Sequence, residues 1–391
     1  MMTPANGSEG AARSSSGGVG RWVLAALGIL GLLVMTGLPS IRGQGSHRVP
    51  VFGAALPPPG HRIGHHAQEG ELAPPAAACL TPPVVAARHP WVALRESLTA
   101  KFDTGVALTA HNALVNGMSV MKEPESGLLY LVHNNELPYF DGDRAQRRLA
   151  DNVFSAACAD GGEGELNNLV VDVGGLYGDY GMHAASHGCR VAMFEPQLAY
   201  TAVINAAVAL NAMQNRIHVI PGAVSVIDGS LLYYSAGAHN GNTYFTPNAT
   251  TPDSYPVLSY RMDTLFADVP SVLYMKVDVE GFDVAVVRSA DALLRAGRLK
   301  HLHLEFTVWF NGPGQGQWRE VLTYLHAMPI QPRMYALHRT GQDCYGPLRE
   351  NQFDEFVETH ASNHLQTDLY VTFDAGFDPK CNGEWSRNHF A

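Results

Sequence analysis

The stretch Val170-Val171-Asp172-Val173-Gly174-Gly175-Leu176-Tyr177-Gly178, followed by Val191-Ala192-Met193-Phe194-Glu195-Pro196, decides the fold. Each begins as an apolar run short enough for a strand buried on both faces, and the first stops at a glycine turn that opens a helix. Working outward, strand and helix alternate: strand 169–173, helix about 178–187, strand 191–195, helix about 198–213, strand 217–220. That alternation predicts an α/β fold built on a doubly wound, mostly parallel sheet. Further strands are expected at 223–226, 231–235, 272–278, 301–306, 333–337 and 368–373. Ahead of the core, a strand at Leu128 to Val132 and a helix from about Arg144 to Ala159 lead in.

A strand that turns on glycine into a helix presents backbone N–H groups at the carboxyl edge of the sheet, where open α/β sheets bind ligands. Glu195 ends the next strand, where an ionised carboxylate can accept both ribose hydroxyls of an adenosine. The glycines give D-x-G-x-x-x-G over Asp172, Gly174 and Gly178, with Gly175 inside it, rather than the G-x-G-x-x-G of a dinucleotide turn. An acid there would repel a pyrophosphate, but it suits S-adenosylmethionine, whose methionine end carries an ammonium and a sulfonium.

A third block, Leu273-Tyr274-Met275-Lys276-Val277-Asp278-Val279-Glu280-Gly281-Phe282-Asp283, resembles the K-I-D-V-E-G-x-E signature of the FkbM-type S-adenosylmethionine-dependent methyltransferases. Phe194-Glu195-Pro196, the helix with Asn205 and Asn211, Gly222-Ala223-Val224-Ser225, Arg261-Met262-Asp263-Thr264-Leu265 and His303-Leu304-Glu305 resemble its neighbouring blocks, in family order over roughly residues 168–310. Asp283 stands where the family usually has Glu, and the tail after about residue 330 does not align. The resemblance implies a Rossmann-like methyltransferase sheet with one antiparallel strand, supplied here by Asp368 to Phe373. It also implies S-adenosyl-L-methionine as cofactor, with Asp172, Gly174, Gly175, Gly178, Glu195 and Asp278 binding it.

Methyl transfer to an alcohol needs the acceptor held at attack distance and a base for its proton. The candidate catalytic residues are Asp278 and Glu280 at one strand end and His303 and Glu305 at another; His301, His303 and Glu305 alternate with leucines and so share a strand face. Asp278 could instead hold backbone N–H groups, and Glu280 could cap the helix starting near Phe282. Lys276 is expected to pair with the acids and keep them ionised. Two rival readings are a nicotinamide-dependent oxidoreductase, which the missing dinucleotide turn disfavours, and a non-catalytic S-adenosylmethionine-binding protein.

The formal net charge of −10 and the absence of a Lys/Arg cluster disfavour a nucleic-acid partner. Five cysteines, Cys79, Cys158, Cys189, Cys344 and Cys381, lack C-x-x-C spacing, so no metal site is expected from them; Cys344 and Cys381 either pair or stand alone. Histidines 61, 65 and 66 read as a solvated linker.

Residues 1–21 are Gly/Ser/Ala-rich and expected to be disordered. From Trp22 to Leu38 an uncharged apolar run of about 17 residues reads as a transmembrane signal anchor (22–39), with a cleaved signal peptide as the competing reading. A Pro-rich stem (40–86) then leads to a methyltransferase domain over 87–391. The expected setting is a single-pass endomembrane protein with its domain in the Golgi or ER lumen, acting on a glycan or small-molecule acceptor. There Asn248-Ala249-Thr250 would be a glycosylation acceptor. The Asn/Gly/Thr-rich stretch 237–255 reads as a polar loop.

Overall fold

The computed structural model describes residues 89–391 apart from 103–117, 125, 134–143, 159–165, 236–244, 247–253, 310–316, 339–343 and 390–391. The expected tail, anchor and stem lie outside the described residues, as do Cys79 and Asn248. Among the described residues no helix is long and apolar enough to cross a membrane.

The strands, in chain order, are β1 (Met118–Lys122), β2 (Leu129–His133), β3 (Leu169–Val173), β4 (Arg190–Phe194), β5 (Ile217–Ile220), β6 (Ala223–Val224), β7 (Ser230–Ser235), β8 (Phe245–Thr246), β9 (Ser254–Tyr260), β10 (Val272–Val277), β11 (Leu299–Phe306), β12 (Arg333–His338), β13 (Cys344–Tyr345) and β14 (Thr367–Thr372). The main helices are α1 (Pro90–Phe102), α2 (Arg144–Cys158), α3 (Asp179–Ser186), α4 (Leu198–Leu210), α5 (Met262–Leu265), α6 (Asp283–Ser289), α7 (Asp291–Arg295), α8 (Trp318–His326) and α9 (Phe353–Asn363).

Eight strands form one sheet in the order β13-β12-β14-β11-β10-β3-β4-β5. Strands β3, β4, β5, β10 and β11 run parallel, β3 and β10 are buried at every position, and the order steps outward both ways from β3. That is the doubly wound sheet expected. β14 runs antiparallel to both β11 and β12, as the resemblance implies. The expectation of a single antiparallel strand needs correcting: the short edge strand β13 is a second one, paired to β12 and continuous with the Cys344–Cys381 disulfide. The polar stretch expected as a loop is in part strand. Residues 254–260 form β9, which pairs with β6 and β7 in a separate four-stranded sheet, its alternating burial set by one face packed and one wet.

Two apolar cores cover the faces of the main sheet. On one, Val171, Val173, Met275, Val277, Leu302 and Leu304 pack beneath α5, α6 and α8. On the other, Val170, Met193, Tyr274 and Tyr370 meet α2, α3 and α4. Asn211, just past α4, accepts from the Leu129 amide at 3.0 Å and donates to the Leu129 carbonyl at 2.7 Å, pinning the β1–β2 hairpin to this face.

Candidate functional site

The site is built where β3, β4 and β10 end together. The Gly174 and Gly175 amides donate to the Phe194 carbonyl at 2.9 and 3.2 Å, and the Asp278 amide donates to Val173 O at 3.0 Å. These bonds bring the glycine turn against the loop after β10. Gly174 sits at φ 86, and a Cβ on it would lie 1.8 Å from the Asp278 carbonyl oxygen. Only glycine fits, and the neighbour that demands it is the loop after β10. Gly178, at φ 81, starts α3, while Gly175 lies against Met193.

Asp172 is 1% exposed; its Oδ2 accepts from the Gly181 amide at 3.0 Å, tying α3 over the turn. Its Oδ1 makes no hydrogen bond among the described residues and lies 3.9 Å from Lys276 Nζ. Lys276 pairs with Asp172 in register, donates to the Gly174 carbonyl at 2.9 Å, and stands 3.4 Å from Asp278 Oδ2. The expected lysine–acid pairing is present. Its expected effect on Asp172 is outweighed: burial pushes the carboxyl up to about 7 despite the nearby ammonium.

Glu195 follows β4 and is 2% exposed. Its Oε2 accepts from the Leu176 amide at 2.9 Å and its Oε1 from the Gln197 amide at 2.8 Å. Each oxygen keeps one further acceptor position, which suits a pair of vicinal hydroxyls. Burial pushes this carboxyl too up to about 7.

After β10 the chain turns through Asp278, Val279, Glu280 and Gly281, the last two in the left-handed region at φ 54 and 93. The turn-holding role considered for Asp278 is taken by Asp283, whose Oδ1 accepts from the Val279 amide at 3.1 Å and whose Oδ2 accepts from the Gly281 amide at 3.0 Å. Sequence reasoning treated Asp283 only as a departure from the signature. The shorter side chain at this place closes the turn, which leaves Asp278 31% exposed at the strand ends. A non-glycine residue such as Glu280 in the left-handed region is the kind of local strain that clusters at functional sites.

His303 and Glu305 stand differently. Along one sheet row Asp172, Lys276, His303 and Tyr370 are neighbours on successive strands. His303 is 3% exposed, with Tyr274 Oη 2.9 Å from Nδ1 and Asp368 Oδ2 3.2 Å from Nε2. Glu305 is equally buried and accepts from Gln366 at 2.6 Å. His301 faces Tyr370 Oη at 2.7 Å, and burial pushes its ring down to about 4, so it is neutral at physiological pH. The structure therefore brings Asp172, the glycines, Glu195, Asp278 and Glu280 together, and it sets His303 and Glu305 into the sheet as partners of Asp368 and Gln366.

A glycine turn and acidic strand ends at the carboxyl edge of a doubly wound sheet define an α/β nucleotide-ligand domain. Residues 172–329 match the family described as Methyltransferase FkbM domain. No curated protein matches the chain. Among solved structures, an O-methyltransferase from Bacillus cereus in complex with SAH is similar at 13% identity, covering 59% of this chain and 81% of its own, with a TM-score of 0.33. A human methyltransferase 10 domain containing protein shows 9% identity over 60% of this chain and 83% of its own, with a TM-score of 0.32.

The cofactor of the domain is S-adenosyl-L-methionine. The residues present fit it. Asp172 keeps a buried acceptor oxygen without a hydrogen bond among the described residues, Glu195 keeps two acceptor positions, and Asp278 adds a third carboxylate, a set matched to hydroxyls and positive charge.

Proposed function

We propose that the domain transfers a methyl group to a hydroxyl oxygen of a glycan or small hydroxylated metabolite, within an oxidising lumen to which residues 22–38 anchor it. The observation that carries this reading is Asp278, the carboxylate that stays partly open beside the glycine turn while Asp172 and Glu195 are buried. When bound, S-adenosylmethionine supplies a methyl group already activated by its sulfonium.

The chain's own residues do the rest. The turn 174–178 and Glu195 hold the adenosine end, and Asp172 places negative charge near the cationic end. Asp278 accepts the proton leaving the acceptor hydroxyl, with Lys276 Nζ 3.4 Å from its Oδ2. Glu280 adds a second carboxylate to the same loop, and the base role expected of His303 and Glu305 passes to this pair. Positioning an acceptor at attack distance supplies about 7–11 kcal/mol of the barrier.

The luminal setting is supported by the disulfides Cys158–Cys189 and Cys344–Cys381, since such bonds persist in oxidising compartments. The uncharged apolar run at 22–38 and the Asn248 acceptor sequence support it independently.

The full chain, expressed in eukaryotic membranes, is incubated with labelled methyl donor and a cell extract. Label recovered as an alkali-stable ether on a glycan or small molecule is expected. Label on nitrogen or in an alkali-labile ester, or binding of S-adenosylhomocysteine with no transfer at all, would overturn the O-methylation reading. A mass shift on glycosidase treatment, lost in Asn248→Gln, is expected for the luminal setting. Protease digestion of the domain in sealed microsomes would refute that part.

A further inference from the structure

At the end of α3 remote from the cofactor turn, three side chains converge that the methyl-transfer site does not use. His183 and His187 stand one helical turn apart, His187 being the residue that ends α3, so both rings leave the same helix face. Across from them α2 presents Asp151. Nε2 of His183 contacts Asp151 Oδ1, Nε2 of His187 lies 3.1 Å from the same oxygen, and the three ligand-type atoms lie within 4.8 Å of one another. We propose that Asp151, His183 and His187 bind a borderline first-row divalent cation, with Zn²⁺ as the representative ion.

The donor set is what such ions select: two imidazoles and one carboxylate, a mixture that Mg²⁺ and Ca²⁺ do not favour. Three protein ligands leave a fourth tetrahedral position for water or an outside ligand. At about 2.0–2.2 Å from each donor, an ion needs the three atoms roughly 3.3 Å apart, so the present spacing requires only small side-chain rotations.

The surroundings hold the rings in the required sense. Ser155 Oγ lies 3.3 Å from His187 Nδ1, which leaves the other nitrogen for the ion, the usual arrangement around a metal-bound imidazole. His183 Nδ1 is buried without a hydrogen bond among the described residues, so that ring is oriented by its Nε2 side alone. Phe154 lies against both rings, with centroids 6.4 and 6.2 Å away. Asp151, Phe154, Ser155 and Cys158 all come from α2, and the Cys158–Cys189 disulfide, with Cα atoms 5.0 Å apart, joins α2 to the segment after His187. Gly188, at φ 100, is required there because a Cβ would lie 2.5 Å from the Cys158 carbonyl. The two elements that carry the ligands are thus locked together before any ion arrives. An α-helix carboxyl end, where cations are favoured, adds to the site. His183 and His187 follow the turn residue Gly178 by five and nine residues, about 7 and 13 Å along the helix axis.

The test uses the purified full chain, freed of metal with a chelator and dialysed against Zn²⁺. One ion per chain is expected, and Co²⁺ in its place should give the visible absorption of a four-coordinate site. The stem histidines are a second possible source of binding, so the His61→Gln, His65→Gln, His66→Gln triple variant is measured alongside and should retain the full stoichiometry. Asp151→Asn and His187→Gln, each checked for native circular dichroism, should weaken Zn²⁺ binding at least a hundredfold and abolish the cobalt spectrum. S-adenosylhomocysteine affinity should stay within twofold of the parent, and Mg²⁺ should not raise the melting temperature. Failure of the parent to retain Zn²⁺ would overturn the proposal, as would unchanged binding in His187→Gln or loss of the ion in the stem triple variant.

Discussion

Replacing Glu195 with glutamine tests the adenosine end of the site through both stability and binding. The carboxylate accepts two backbone N–H groups, from Leu176 at 2.9 Å and Gln197 at 2.8 Å, inside a site 2% exposed. A glutamine keeps one acceptor oxygen and turns an NH₂ toward the other donor, so one buried amide loses its partner at a cost of about 1–3 kcal/mol. Loss of a charge-assisted bond to a ribose hydroxyl costs about 1.5–3 kcal/mol, a weakening of about 10- to 150-fold. Burial holds the carboxyl near 7, above its ordinary value, so in the free domain this group's stabilising contribution is fully present below that ordinary value. It is lost as pH rises through 7. Ligand binding runs the other way because the ionised form accepts both hydroxyls. Affinity for S-adenosylhomocysteine should therefore fall about tenfold between pH 8 and pH 6. Asp172, also pushed up to about 7, titrates in the same range, and Asp172→Asn separates its share. Calorimetric titration at pH 6, 7 and 8 in two buffers of different ionisation enthalpy reads both affinity and proton exchange. Wild-type affinity independent of pH, together with Glu195→Gln binding within twofold, would refute the assignment.

Gly174→Val should lower the urea midpoint by the equivalent of more than about 3 kcal/mol, because the new Cβ would sit 1.8 Å from a carbonyl oxygen at a positive φ; a wild-type midpoint would show that the turn is not packed this way. Asp278→Asn should reduce kcat by about 10²- to 10⁴-fold, and a change confined to S-adenosylhomocysteine affinity would assign the residue to the cofactor alone. His360, neutral with its ring pushed down to about 4 by burial, lies 2.7 Å from the Phe356 carbonyl through Nδ1 and 2.9 Å from Thr367 Oγ1 through Nε2. Its stabilising contribution is present above the ordinary histidine value and lost as pH falls through 4. His360→Gln should therefore lower the melting temperature at pH 7 but flatten its decline between pH 6.5 and pH 4. An unchanged slope would place the acid sensitivity elsewhere.

The buried parallel strands were legible in the sequence because a strand covered on both faces must be a short apolar run, and β3, β4 and β10 are such runs. The glycine turn was legible too, since its backbone angles restrict the residue type locally. The order of the site residues along the chain followed from the signature blocks.

What the sequence could not decide were the partners chosen across the sheet. His303 and Glu305 carry the residue types of a base, yet only pairing with β14 buries them against Asp368 and Gln366. The sequence marks 237–255 as a polar loop, while pairing with β7 draws its last two residues, Ser254 and Tyr255, into β9. Asp151 stands 32 residues before His183, and Cys158 is 31 residues before Cys189. The spacing His183-x-x-x-His187 was the only local sign of a ligand set. Burial likewise sets the protonation of Asp172, Glu195 and Asp283, all pushed up to about 7. The sequence supplies the acid, but desolvation depends on what packs over it, and that is fixed only when distant segments meet.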